Sequence, residues 1–185
     1  MRLKFISLAF MCLLPLVSEA RRFTLSTNVL GYVELGTMNM DMSYALSRKW
    51  SLTVGARYNP FIFYKGDPSK QFQHKQQSYF VGVRMWPWHT WSGWWFATKG
   101  RYQEYNTGGI LSRETSEGDR LGVGIYSGYT LMLSRHFNIE FGIGLWGGLD
   151  MYKRYSCPMC GLTVDAGEKF FVLPDDLMIS VVYVF

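Results

Sequence analysis

Leu121-Gly-Val-Gly-Ile-Tyr-Ser-Gly-Tyr-Thr-Leu131, followed after a short break by Phe137-Asn-Ile-Glu-Phe-Gly-Ile-Gly-Leu145, decides how this chain folds. Its odd positions read Leu, Val, Ile, Ser, Tyr, Leu and then Phe, Ile, Phe, Ile, Leu. Its even positions hold Gly, Tyr, Thr, Asn and Glu. A period of two makes a strand with two unlike faces, because successive side chains leave a pleated backbone on opposite sides. Ser134-Arg135-His136 between the runs is short and polar, a hairpin turn.

The same pattern extends in both directions. Met38, Met40, Met42, Tyr44 and Leu46 alternate with Asn39, Asp41, Ser43 and Ala45. Trp50 to Tyr58 sets Leu52, Val54 and Ala56 against Ser51, Thr53, Gly55 and Arg57. Tyr79, Val81, Val83 and Met85 oppose Ser78, Phe80, Gly82 and Arg84. Trp94, Phe96, Thr98, Gly100 and Tyr102 oppose Trp95, Ala97, Lys99, Arg101 and Gln103. The chain ends on Leu177, Ile179, Val181, Tyr183 and Phe185, and a weaker alternation opens it from Phe23 to about Leu30. These runs predict eight strands, and no long segment of period 3.6 competes with them.

The turns at Ser47-Arg48-Lys49, around His89 to Ser92 and at 134–136 are short. Longer polar stretches near 61–76, 107–118 and 151–175 alternate with them, and only the connection near Gly31 to Gly36 breaks that rule. Short turns at one end and long loops at the other predict an eight-stranded antiparallel up-and-down transmembrane β-barrel, with both termini at the short-turn, periplasmic end. A soluble lipocalin-like ligand-binding barrel is the alternative, with apolar residues inside. The faces argue against it. Leu, Ile, Val, Phe and Met with almost no charge form one face. The other carries charges and the glycines 55, 82, 122, 124, 128, 142, 144 and 148. An eight-stranded lumen is just wide enough for side chains, so inward glycines make room for large neighbours. Trp50, Trp94, Phe137 and Tyr183 fall near the turn end, where an aromatic girdle belongs.

Composition agrees with this reading. With 48% hydrophobic and 17% aromatic residues, the 185-residue chain is not disordered. A net charge of +5, dispersed along the chain, does not point to nucleic acid. No uncharged run reaches the about 18 residues a membrane-crossing helix needs. The first twenty residues read as a secretory signal: Arg2 and Lys4, an apolar run from Phe5 to Val17, then Ser18-Glu19-Ala20. Residues 21–185 are then one exported outer-membrane domain, in contact with outer-membrane lipid. The closing Tyr183-Val184-Phe185 is similar to the C-terminal signal that bacterial barrel-assembly machinery reads, making that machinery an expected partner.

The ordered set Thr27-Asn28-Val29-Leu30, Lys49-Trp50-Ser51-Leu52, Tyr58-Asn59-Pro60-Phe61, Tyr105-Asn106-Thr107-Gly108-Gly109-Ile110, Gly128-Tyr129 and Tyr155-Ser156-Cys157-Pro158-Met159-Cys160-Gly161 spans the exported chain. In this order the pieces resemble a family of small outer-membrane barrels of Bacteroidetes-type bacteria, known only as a domain of unknown function. The resemblance implies the same eight-stranded barrel and a link to fimbria-type surface proteins. It supplies no catalytic residue.

Two constellations stand out. Asp41, Arg57, Arg84, Lys99, Arg101 and Glu140 fall on the inward face. Charges in a narrow lumen are expected to pair, with Asp41 opposite or diagonal to Arg57 and Glu140 reaching Arg84 or Lys99. Cys157 and Cys160 in the last outer loop predict a local disulfide in an oxidising compartment. A metal site remains the alternative, with His74 or a second chain completing the ligand set. No cofactor is expected. The expected role is a structural or surface-interaction barrel rather than an enzyme. An outer-leaflet lipid-modifying enzyme is the other reading, with His74 as the outer-side base.

Overall fold

The computed structural model describes residues 22–63, 72–108, 114–156 and 162–185. The signal segment and Cys157 with Cys160 lie outside the described residues. The strands are β1 (Phe23–Asn28), β2 (Met38–Ala45), β3 (Trp50–Asn59), β4 (Ile62–Phe63), β5 (Phe72–Met85), β6 (Gly93–Gly108), β7 (Thr115–Met132), β8 (Phe137–Tyr155) and β9 (Thr163–Val184). A single short helix, α1 (Val29–Val33), lies between β1 and β2. Each neighbouring pair is antiparallel. β3 pairs with β5, and β1 with β9, so eight strands close into a barrel, with β4 attached to the outer end of β5.

All eight alternating runs are strands, and strand continues into each of the three expected long loops. β5 begins at Phe72, β6 runs to Gly108, β7 starts at Thr115, and β8 and β9 reach Tyr155 and Thr163. On β6 and β7 these extensions carry polar residues on both faces, for example Glu104 and Asp119 outside with Gln103 and Arg120 inside, so the hydrophobic period fades there where the ladder does not. The first strand stops at Asn28 rather than Leu30. The Asn28 side chain accepts a hydrogen bond from the Leu30 N–H and caps α1.

The faces are inverted relative to a soluble protein. Val81, Val123, Ile125 and Ile143 are 54–67% exposed, while Arg84, Lys99, Arg101, Asp150 and Glu140 are at most 5% exposed. A lipocalin-like apolar interior is therefore not what these strands enclose. The girdle residues make ring contacts on the outside: Trp94 with Tyr129 at 5.4 Å, and Phe137 with Tyr183 at 5.2 Å.

The most fully buried apolar side chains gather at the turn end. Trp86, Trp91, Trp95, Met178, Val182 and Val184 fill the lumen there. Trp86 donates its indole N–H to Ser51 Oγ at 3.0 Å, and Asn138 holds the Trp91 carbonyl at 3.1 Å. Trp95 lies against Gly128 and Gly142, where any Cβ would strike the indole. Glycine on two neighbouring strands thus creates the seat for the largest side chain.

Candidate functional site

Above the tryptophan plug, inward charges are stacked in tiers. In the lowest, Arg84 donates to Glu140 at 2.8 Å, and Thr130 donates to the other carboxylate oxygen at 3.2 Å. The Arg84 guanidinium also lies 4.5 Å over the Trp95 ring. Thr130 faces Glu140 across the β7–β8 ladder, and Arg84 reaches it from the far wall. Both ionic side chains are 3% exposed, so each would be stranded without the other.

The next tier holds a cation between two aromatic faces. Lys99 Nζ sits 4.4 Å from the Phe80 ring and 4.4 Å from the Tyr126 ring. Tyr126 itself fits because Gly144 and Gly124 leave no Cβ against it. Ring quadrupoles stabilise the cation where water cannot reach.

The third tier centres on Asp175. Arg101 donates to Asp175 Oδ1 at 2.6 Å, Tyr126 donates to Oδ2 at 2.5 Å, and the Arg57 guanidinium stands 3.9 Å from Oδ1. Asp41 pairs across the ladder with Gly55, and Arg57 with Asn39, so the two charges are diagonal rather than directly opposite. The register is offset by two residues from one with Ser47 facing Ser51, Ala45 standing opposite Ser51 instead.

A fourth tier was not read from the sequence. Asp150, fully buried, accepts from Tyr105 at 2.8 Å and pairs with Arg120 at 3.3 Å and Lys169 at 3.6 Å. Arg120 also lies 4.0 Å over Tyr105. Extending the even-numbered inward positions of β7 and β8 by two pairs would have found Arg120 and Asp150. Asp175 and Lys169 are different. Gly142 pairs with Met178 but Gly144 with Asp175, so β9 carries one extra residue there, a β-bulge. Even positions point inward below it (Met178, Ser180, Val182), and odd positions point inward above it (Asp175, Leu173, Phe171, Lys169). An uninterrupted alternation turns Asp175 outward.

Between the third and fourth tiers lies a chamber of about 570 Å³. Arg57, Arg101, Arg120, Asn39, Gln76 and Gln103 form its polar wall. Glu34, in the connection after α1, stands at its outer end 3.5 Å from His74. The neighbouring imidazole holds the Glu34 carboxyl below the usual carboxylate range. His74 is thus engaged with a carboxylate. Among the described residues no group of three metal-ligating side chains occurs.

Tyr183 and Phe185 lie at the β1–β9 seam that closes the barrel. The Phe185 N–H donates to the Phe23 carbonyl at 3.1 Å, and its ring packs edge-on against Tyr183 at 4.9 Å.

Searches of curated proteins and of solved structures found no match. A family model matches residues 6–185, nearly the whole chain, and the chain accordingly belongs to the family described as "Protein of unknown function (DUF3575)".

Proposed function

We propose that this chain is an integral outer-membrane barrel with a sealed lumen, which serves a structural or surface-interaction role through its long outer strands. The observation that carries the reading is the inversion of faces: exposed Val, Ile and Leu outside, buried ion pairs inside. In water that arrangement would expose the apolar surface and bury the charge, both unfavourable. In lipid the outside is solvated and the paired interior is shielded. The outward apolar positions of β7 run from Leu121 to Leu131. Eleven residues tilted by about 40° span roughly 25 Å, the height of the apolar band of such barrels. Strand extensions above the band form a collar, a natural place for contact with another surface protein, including a fimbria-type one.

The test is fractionation together with gel migration. The protein should be recovered with the outer membrane and should migrate differently on SDS gels before and after boiling. Recovery as a soluble periplasmic protein would overturn the reading.

A further inference from the structure

Charge is distributed unevenly along the barrel axis. The outer extensions mix signs: Glu117 faces Lys153 across the β7–β8 ladder, and Glu104 faces Asp119 across the β6–β7 ladder. The turn end is different. Arg48 and Lys49 in the β2–β3 turn and Arg135 in the β7–β8 turn are exposed, and none of them makes an ion pair among the described residues. No Asp or Glu occurs in the stretches 42–56, 84–103, 121–139 or 177–185 that build this end. The carboxylates next along the chain, Asp41 and Glu140, are buried in the lumen, and Glu140 is already held by Arg84. The cations of the turn end therefore stand without a counter-charge among the described residues.

Aromatic rings set their depth. Lys49 precedes Trp50, and Arg135 lies two residues before Phe137, both rings being 49% exposed on the outside. His136 stacks on Tyr183 at 5.8 Å, beside the Phe137 ring. Amphipathic rings settle at the headgroup level of a bilayer, and one or two residues beyond them, at about 3.3 Å each, reach the phosphates. Position around the barrel matters as well. In the closed order β1, β2, β3, β5, β6, β7, β8, β9, the β2–β3 and β7–β8 turns are four steps apart in either direction, on opposite sides. A compact acidic protein would meet one of these sides and leave the other bare. A leaflet surrounds the barrel and meets both. Exposed cations hold a free anion weakly, because water and salt screen them. A leaflet keeps its phosphates at a fixed depth against them.

We infer that the turn end is a binding surface for anionic phospholipid, whose phosphates meet Arg48, Lys49 and Arg135 while its acyl chains lie along the exposed aromatic rings. The inference rests on the lipid-embedded reading above, since only an embedded barrel presents this rim to headgroups. It goes further in naming the lipid class that this end selects and the residues that select it.

The experiment uses residues 21–185 folded into phosphatidylcholine vesicles in which part of the lipid carries bromine near the headgroup end of its chains. Bromine quenches indole fluorescence on contact. Trp50, Trp88 and Trp94, all at the turn end, are 49–63% exposed, while the other four tryptophans are at most 5% exposed, so quenching reports on this surface. Brominated phosphatidylglycerol should be preferred over brominated phosphatidylcholine about fivefold at low salt, the factor expected for a lipid that meets one cation. The preference should vanish in about 1 M salt, where screening acts within about 3 Å. The triple variant Arg48→Gln, Lys49→Gln, Arg135→Gln should lose it at low salt, and Lys153→Gln, exposed on the outer extension, should keep it. The salt series needs no variant, so the test stands even if the triple variant fails to fold. No quenching by either brominated lipid would overturn the membrane reading, and this inference with it. Equal quenching by the two lipids, a preference that survives high salt, or one that survives in the folded triple variant would overturn this inference alone.

Discussion

Glu140 and Arg84 illustrate what one residue can decide in a narrow lumen. Their 2.8 Å contact at 3% exposure is a pair whose members cannot be separated without leaving a bare charge in the interior. Glu140→Ala should lower unfolding stability in vesicles by about 3–5 kcal/mol. Adding Arg84→Met, which keeps the stem over Trp95, should restore much of that loss. A double variant as unstable as the sum of the singles would show the pair to be uncoupled. Gly128 makes a comparable point about volume. A Cβ there meets both the Phe141 carbonyl and the Trp95 ring. Gly128→Val should therefore cost about 1–3 kcal/mol or more by overpacking, visible as a lower denaturation midpoint and altered indole fluorescence. At this scale the sequence was informative wherever parity held. Arg84, Lys99, Arg101 and Glu140 face inward as their alternation requires. Arg120 escaped notice because the outward face of β7 loses its apolar residues above Leu121, whereas Asp150 lies between the outward Leu149 and Met151, where the alternation still runs.

Among the elements, β9 does the most to shape the site, and it was the least legible. Its lower half alternates cleanly from Leu177 to Phe185. Its upper half reverses face at the bulge, a backbone event that leaves no trace in a hydrophobic period. Pro174 next to it stays within the β8–β9 ladder, opposite Leu145. The reversal brings Asp175 under Arg101 and Arg57, so a local irregularity creates the central tier. α1 is likewise too short to show a helical period, and its cap at Asn28 is what truncates β1. The end of β9 is a separate matter. Phe185 is bonded to Phe23 at the closing seam, 40% exposed, and contributes little packing inside the barrel. Deleting it should therefore slow assembly and reduce outer-membrane yield at low expression, while the barrel that does form keeps the same heat-modifiable migration. Equal yield for the full and shortened chains would contradict this.

For the whole molecule, the account is of a barrel closed at one end by Trp86, Trp91 and Trp95 and crossed by paired charges at several heights. Such a lumen has no continuous water path. The protein reconstituted in planar bilayers should give no sustained channel openings, and discrete steps of stable conductance would contradict the seal. The central claim is that the apolar face meets lipid and the charged face does not. It is tested most directly by nitroxide labels on residues 21–185 with Cys157 and Cys160 replaced by serine, placed singly at Val81, Ile125 and Ile143 after substitution to cysteine. In vesicles, all three labels should collide readily with dissolved oxygen and be shielded from a water-soluble nickel chelate. Labels freely accessible to the chelate would contradict the account.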